Sequence, residues 1–306
     1  MALFINQNNK LKEIGEQFFK LEKHIQELIE TNLELLVNLE FVKSEFVIKN
    51  KRIDTLAFDR QSQGFVIIEY KRDRNISVID QGFSYLSLML ENKAEFIIEY
   101  NESLGKKLKR EDVDWSQSRV VFIAPSFTEN QKLATNFKDV AIELWEIKKY
   151  DNNLISFNQI KKTSRESIKQ VANVGGEIEE VSKEIVVYSE DDHLAKGSQA
   201  VQELYAVIRD RILEYNDLEM VPVKQYIGFK LGRRIVTDLE IQRKQLRMRI
   251  NLKKGQLEDS KGLFRDVSNI GTFGVGDYEA ALTSDEDIDY IMSLVKQSYN
   301  FHKKGM

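Results

Sequence analysis

Two carboxylates and one amine lie close together on two strand-like runs of residues. Asp54 lies in the run Ile53–Phe58, Glu69 lies in the run Phe65–Tyr70, and Lys71 follows that second run directly. Charged groups on an otherwise apolar pair of strands are costly to desolvate unless a cation or a polar ligand uses them. The residue types and their spacing therefore indicate a site for a cation or a polar ligand.

The two runs form a predicted β-hairpin, because a short polar segment separates them. If the turn is centred between Gln61 and Ser62, Asp54 lies opposite Glu69. Cross-strand neighbours and residues two apart share a face of a sheet, so Lys71 projects from the same patch as the two carboxylates. A slip of one residue would move Asp54 to the other face. The prediction of a shared site therefore depends on this register.

The elements around the hairpin have the order of a layered α/β structure. A continuous apolar run, Arg119–Ala124, is typical of a strand buried on both faces. The other predicted elements are one long or two consecutive amphipathic helices over 11–36, a strand over 39–48, a helix over 77–90, a helix over 128–137 and a strand over 140–147. This order predicts a mixed sheet with helices on each side, and the site lies at a sheet edge where the hairpin opens.

Asp54, followed by Glu69-Tyr70-Lys71 on the next strand, resembles the signature of the PD-(D/E)XK nuclease superfamily, closest to its NucS-like and RecB-like branch. The resemblance covers roughly residues 10–155, and Ile53 stands where the name of the motif has Pro. It implies a restriction-endonuclease-like fold. It also implies that the Asp and the Glu bind a divalent metal and that the Lys positions or activates the attacking water.

Further site residues follow from the same resemblance. Gln81, in the predicted helix over 77–90, stands where the family often carries a Gln that faces the site, and Glu22 resembles the acidic residue of the family's first helix. The implied catalytic residues are Asp54, Glu69, Lys71, Gln81 and Glu22, with Mg²⁺ or Mn²⁺ bound by Asp54 and Glu69. The residues expected to contact the nucleic-acid backbone at the mouth of the site are Arg52, Arg72 and Arg74.

A change in composition marks a predicted domain boundary. Residues 164–198 are acidic and poor in large apolar side chains, which predicts a linker between a nuclease-like domain over 1–163 and a small α+β domain over 199–306. The C-terminal part resembles a small domain of unknown function that often follows nucleases of this branch. The residues that carry this second resemblance are His193-Leu194, 225–230, 271–279 and a closing helix over 288–299.

One stretch of the C-terminal part has cations at regular spacing. Residues 235–252 are predicted to form two strands, because the parity of the apolar residues changes at 243–245. On the second strand Arg247, Arg249 and Lys253 lie opposite the apolar face. This face is either the solvated side of an antiparallel sheet or a phosphate-contacting surface, since spaced cations can neutralise a nucleic-acid backbone.

Composition sets limits on the class of protein. The chain has 306 residues, 42% of them hydrophobic and 31% charged, which is typical of a globular protein with room for two domains. A formal net charge of -4 argues against coating of nucleic acid by overall charge, but it permits a local basic groove. The absence of Cys excludes disulfides, and neither a signal peptide nor a membrane-spanning run is expected. A cytoplasmic protein without a membrane partner is therefore expected.

Three hypotheses for function follow. The first is a metal-dependent endonuclease or exonuclease that hydrolyses phosphodiester bonds in DNA, with RNA left open. The second is a non-catalytic nucleic-acid-binding or scaffolding protein that retains the fold. The third is a purely structural hairpin, in which Lys71 pairs with Glu69 or Asp54 and no metal binds. The intact Asp, Glu and Lys favour the first, because a binder gains nothing from carboxylates that face phosphates. A homodimer is expected by analogy with nucleases of this fold.

Overall fold

The computed structural model describes residues 2–72, 77–164, 166–168, 181, 183–270 and 276–304. The chain divides into two compact units, Met1–Val187 and Tyr188–Met306. Among the helices of the described residues, none combines the length and the apolar character that crossing a membrane requires.

The first unit alternates strands and helices. Its strands are β1 (Leu3–Gln7), β2 (Lys10–Ile14), β3 (Glu16–Gln17), β4 (Glu40–Ile48), β5 (Lys51–Asp59), β6 (Gly64–Tyr70), β7 (Arg119–Ala124), β8 (Ile142–Tyr150) and β9 (Ile155–Gln159). Its α-helices are α1 (Glu22–Thr31), α2 (Leu33–Val37), α3 (Val78–Glu91), α4 (Lys93–Leu104) and α5 (Glu129–Thr135). Short 3-10 helices lie at Arg110–Asp112, Trp115–Gln117 and Asp151–Asn153.

A mixed sheet forms the centre of this unit. Its strand order is β3-β8-β7-β6-β5-β4, and β9 pairs with β8. Strands β4, β5 and β6 form an antiparallel meander, whereas β6, β7 and β8 run parallel. Apolar side chains of one sheet face pack with α3 and α4, and those of the other face pack with α1 and α2. The predicted mixed sheet flanked by helices is confirmed.

The register of the β5–β6 hairpin is the predicted one. Thr55 pairs with Ile68, so the next positions, Asp54 and Glu69, lie opposite each other. The turn is stabilised locally, because Asp59 Oδ1 accepts hydrogen bonds from the backbone N–H groups of the turn. The turn chemistry therefore agrees with this pairing, whereas burial does not select it, because all seven positions of β6 are buried.

The N-terminal part of the predicted helix over 11–36 is wrong. Residues 3–14 form the β1–β2 hairpin, and α1 begins only at Glu22. Asn8 and Asn9 at the hairpin turn have φ values of 51° and 64°, which a two-residue hairpin loop with positive φ at both positions requires. Phe18, which helical spacing assigned to the helix, is exposed before it.

The second unit is the predicted small α+β fold. Its helices are α6 (Glu190–Leu194), α7 (Gln199–Leu213) and α8 (Ile288–Lys304). Its strands are β10 (Leu218–Pro222), β11 (Ile227–Leu231), β12 (Arg234–Ile241), β13 (Leu246–Ile250), β14 (Arg265–Asp266) and β15 (Tyr278–Leu282). These strands form one sheet in the order β10-β11-β12-β13-β15-β14, and α7 and α8 supply apolar residues to its core.

The boundary between the units lies between Val187 and Tyr188, inside the segment over 164–198 that was predicted to be a linker. Residues 169–180 of that segment lie outside the described residues. Beyond them, Ile185 packs in the core of the first unit, and the backbone N–H of Val186 donates to the carbonyl of Ser116. The acidic residues 190–192 form the first turn of α6, where carboxylates interact favourably with the helix dipole. Acidic composition here therefore marks a helix start.

Candidate active site

The two predicted carboxylates meet where β5 and β6 stop pairing through their backbones. The backbone N–H of Asp54 donates to Glu69 Oε1 over 3.3 Å, and the backbone N–H of Tyr70 donates to Asp54 Oδ2 over 3.1 Å. Side-chain oxygens thus take the place of ladder hydrogen bonds at this end of the hairpin. Each carboxylate is therefore held by the backbone of the opposite strand.

Lys71 completes the predicted cluster. Its Nζ lies 3.1 Å from Glu69 Oε2, and its backbone N–H donates to the carbonyl of Ile123 over 2.9 Å. The second contact continues the parallel pairing of β6 with β7 and fixes the start of the Lys71 side chain. The hairpin thus brings Asp54, Glu69 and Lys71 together, as the register predicts.

Gln81 reaches the same carboxylate from α3. Ser77 caps this helix by accepting from the Asp80 N–H, so α3 begins one turn before Gln81. Gln81 Nε2 donates to Glu69 Oε2 over 3.2 Å. Its Oε1 is buried and accepts no hydrogen bond from the residues that the structure describes. A buried acceptor left in this state beside two carboxylates indicates a missing donor or ligand.

Tyr85 is a site residue that the sequence reasoning missed. Its hydroxyl lies 3.4 Å from Gln81 Nε2 and donates to the carbonyl of Arg52 over 3.3 Å. Burial, with Glu69 nearby, raises the pKa of the Tyr85 hydroxyl. The available signal was its position four residues after Gln81, which places both side chains on one helix face.

The two carboxylates are electrostatically strained. Burial raises the pKa of Asp54 and of Glu69, and the charge of Asp54 raises the pKa of Glu69 further. Lys71 opposes both shifts, yet one ammonium faces two carboxylates. The side chain of Glu69 is only 3% exposed, so water screens this repulsion poorly. A second cation at this place would relieve it.

The donor atoms fit a small hard cation. Asp54 Oδ2 is engaged by Tyr70, but Asp54 Oδ1 accepts no hydrogen bond within the described ranges. In those same ranges no three His, Cys, Asp or Glu side chains are placed to hold a metal ion. Mg²⁺ is usually held by one or two carboxylates, with water and phosphate oxygens as its other ligands. Asp54 and Glu69 meet that requirement.

The remaining predicted residues of the first unit lie at the rim. Glu22 Oε1 accepts from the backbone N–H of Arg72 over 2.8 Å, and Glu22 contributes to the raised pKa of Asp54, after the larger effect of burial. The Arg72 guanidinium donates to the carbonyl of Lys20, and Arg52 is exposed and paired with a carboxylate of β4. Arg74 lies outside the described residues.

The predicted phosphate-contacting face of the second unit is corrected by the structure. Arg249 is only 3% exposed and forms ion pairs of 2.9, 2.5 and 3.1 Å with Asp238, Glu240 and Glu279. Arg247 lies between two of these carboxylates, whereas Lys253 is 75% exposed. Strand alternation identified the correct face, but that face carries an internal ionic network, so Arg249 is not available to a phosphate.

Comparison with known proteins identifies relatives for both parts of the chain. Residues 190–302 match the family model described as Domain of unknown function (DUF5655), which confirms the predicted C-terminal domain. An uncharacterized protein of Haemophilus influenzae is 52% identical over 300 residues, which cover 97% of this chain and 99% of that protein. The chain belongs to the family of that protein. This family therefore includes both units.

Solved structures show partial similarity. They include an EndoMS–dsDNA complex (21% identity, TM-score 0.27, covering 40% of this chain and 48% of that chain). They also include a repair endonuclease from Pyrococcus abyssi (20% identity, TM-score 0.26, covering 43% and 49%) and SfsA from Pyrococcus furiosus in complex with Ca²⁺ (15% identity, TM-score 0.24, covering 45% and 61%). Similarity at this level assigns no residue a role.

Proposed function

We propose that the first unit is a metal-dependent nuclease that hydrolyses phosphodiester bonds in DNA. The observation that carries the proposal is the meeting of Asp54, Glu69, Lys71 and Gln81 at the splayed end of the β5–β6 hairpin. Asp54, Glu69 and Lys71 are the residues of the PD-(D/E)XK signature that the sequence resembles, and Gln81 stands where that family often carries a Gln, so the geometry agrees with what the resemblance implies.

Asp54 and Glu69 would hold the cation, Mg²⁺ or Mn²⁺. Their oxygens are hard ligands, and their charges repel each other in a poorly hydrated place. When bound, such an ion supplies Lewis-acid chemistry toward the phosphodiester. The buried Gln81 Oε1 is placed to accept a hydrogen bond from a water molecule in the loaded site.

Lys71 is the residue of this chain best placed to assist the reaction. Glu69 and the pairing with β7 hold its ammonium beside the carboxylates before any substrate arrives. A preorganised ammonium can orient the attacking water or offset the charge that develops on the phosphorane. Gln81 and Tyr85 hold Glu69 and its surroundings in place from α3.

The Lys71–Glu69 ion pair is also what a purely structural hairpin requires. That alternative explains one carboxylate, because a single ammonium balances Glu69 and leaves the buried charge of Asp54 without an equal partner. It also leaves Gln81 Oε1 without a donor. The nuclease proposal accounts for the Glu69 carboxylate, the Asp54 carboxylate and Gln81 Oε1. A measurement of metal binding distinguishes the nuclease from the purely structural hairpin.

The test is a cleavage assay with the full chain. End-labelled single-stranded, duplex, flap and mismatched DNA, together with single-stranded RNA, are incubated with Mg²⁺ or Mn²⁺ and with EDTA. The proposal expects metal-dependent cleavage of at least one DNA substrate and none in EDTA. Absence of cleavage across the panel, or cleavage that EDTA does not affect, would contradict it.

A further inference from the structure

Glu45 has an unusual backbone conformation next to the candidate site. It lies inside β4 with a φ of 53°, in the left-handed region that favours glycine. The pairs on either side, Ser44 with Thr55 and Phe46 with Ile53, place Glu45 across from Asp54. A non-glycine residue in such a conformation costs on the order of 1–3 kcal/mol and persists only where surrounding contacts hold it, which is frequent at ligand-binding sites.

The Glu45 carboxylate brings together cations from two elements. Its Oε2 lies 2.9 Å from Arg52 Nε on β5, and its Oε1 lies 3.7 Å from Lys23 Nζ on α1. Lys23 also donates to Gln26 Oε1 over 3.3 Å, and Gln26 donates to the carbonyl of Asp54 over 2.8 Å. Lys23 and Arg52 are therefore tied to the same stretch of backbone that carries the proposed metal ligand.

The ion pairs alone do not explain the strain. Exposed ion pairs contribute about 0–1 kcal/mol, less than the cost of the left-handed Glu45 backbone. Both cations are well exposed, so each keeps a side that faces solvent. The arrangement costs stability and presents two positive charges at a fixed place beside Asp54.

Charge balance indicates the ligand. The contacts around the site join five carboxylates and four cations among the described residues: Glu22, Glu30, Glu45, Asp54, Glu69, Lys23, Arg52, Lys71 and Arg72. The carboxylates exceed the cations by one, so a divalent cation would leave the region positive by one. A positive region with two preorganised cations at its edge suits a polyanion with regularly spaced charges.

We propose that Lys23 and Arg52, held by Glu45, form a subsite for a phosphate adjacent to the one that is cleaved. This inference rests on the proposed nuclease function and extends it to a defined contact with the substrate backbone. Glu45 is a positioning residue in this arrangement, whereas Lys23 and Arg52 contact the substrate. Phosphate contacts of this kind fix the register of the strand without reading its sequence.

Two matched pairs of variants test the subsite. Lys23→Ala is compared with Lys43→Ala. The Lys43 side chain is 48% exposed, against 49% for Lys23, and it pairs with Glu99. Arg52→Ala is compared with Arg60→Ala. The Arg60 side chain lies at the far end of β5, is 63% exposed, against 68% for Arg52, and pairs with a different β4 carboxylate, Glu40. All four changes are made in an Asp54→Asn background with EDTA, so that the DNA stays intact.

The measurement is binding of a fluorescent oligonucleotide, single-stranded or duplex, as a function of salt. Lys23→Ala and Arg52→Ala should each reduce the slope of log K against log [salt] by about 0.7–0.9, the effect of one lost phosphate contact, and the two controls should leave it unchanged. Equal effects of test and control variants would overturn the subsite. If wild-type protein cleaves DNA while these slopes do not change, only the subsite fails; if it neither binds nor cleaves, the nuclease proposal fails with it.

Glu45→Gly tests the origin of the strain. Glycine adopts positive φ without steric cost and alanine does not, so Glu45→Gly should unfold at a higher temperature than Glu45→Ala, which loses the same carboxylate. A lower unfolding temperature for Glu45→Gly than for Glu45→Ala would show that the Glu45 backbone is not strained, and it would overturn the assignment of Glu45 as a strained positioning residue.

Discussion

Replacing Asp54 by Asn should distinguish the effect of this carboxylate on the stability of the metal-free protein from its contribution to metal binding. Asn is nearly isosteric with Asp, and its side-chain oxygen can still accept from the Tyr70 N–H. Glu69→Gln is a poorer choice, because Lys71 and Gln81 both donate to Glu69 Oε2 and an amide nitrogen there would face two donors. Asp54→Asn therefore removes one charge and little else.

The expected effects have opposite signs with and without metal. Without metal, removal of one of two repelling, desolvated charges should leave stability unchanged or raise it. With Mg²⁺ or Mn²⁺ at about 100 times its dissociation constant, wild type should gain about 2.7 kcal/mol. For a unit of the size of Met1–Val187, that gain raises the unfolding temperature by about 5–10 °C. The variant should show little of this increase.

The tryptophans provide a selective readout. The chain has two Trp residues, Trp115 and Trp145, and both lie in the first unit. Thermal unfolding followed by Trp fluorescence therefore reports the unit that carries the site. A metal-dependent shift of equal size in wild type and Asp54→Asn would refute the assignment of Asp54 as a ligand. A large destabilisation of the metal-free variant would indicate that the carboxylate is structural.

Three further predictions concern single residues. Lys71→Ala should retain the metal-dependent rise in unfolding temperature but lose about 100-fold or more in cleavage rate, the cost of one preorganised transition-state contact. Loss of both the metal-dependent rise and the cleavage would show that Lys71 serves the fold. Arg249→Met should destabilise the second unit by about 3–5 kcal/mol in calorimetry, because it leaves buried carboxylates unpaired. The stability of Lys253→Ala should stay within about 0.5 kcal/mol of wild type, and equal effects of the two changes would refute the buried network. Burial tends to raise the pKa of Glu40, but hydrogen bonds from neighbouring cationic and phenolic groups lower it to about 2, so Glu40→Gln should lose about 1–2 kcal/mol of stability at pH 7. A carboxylate with a lowered pKa stabilises the fold only above its ordinary pKa, so the difference between wild type and variant should disappear as the pH falls from about 4.5 towards 2. A difference that does not depend on pH would contradict the assigned cause.

The pairing of Asp54 with Glu69 could be predicted because a short polar segment lies between two strand-like runs. A turn centred between Gln61 and Ser62 places Asp54 opposite Glu69, and the structure has this register. The N-cap at Ser77 positions Gln81 on α3, but the prediction that Gln81 faces the site followed from the family resemblance. The hairpin and the helix themselves depend on residues near one another in the chain, so sequence spacing is sufficient to predict them.

Other features depend on contacts that spacing does not encode. Alternation along β13 indicates the side of Arg249, but only the fold shows that three carboxylates from neighbouring strands surround it. The left-handed conformation of Glu45 has no local signal, since Glu is not a residue that favours positive φ. The β1–β2 hairpin did carry a signal, Asn8-Asn9, but the helical spacing of later apolar residues concealed it.

The central claim is that the Asp54–Glu69 pair supports hydrolysis of phosphodiester bonds. Its most direct test is the initial rate of cleavage of labelled DNA by wild type and by Asp54→Asn, purified in parallel and assayed with saturating Mg²⁺ or Mn²⁺. We expect wild type to cleave and the folded variant to show no cleavage above background. Equal rates would show that the activity belongs to another site or to a contaminating enzyme, and they would contradict the claim.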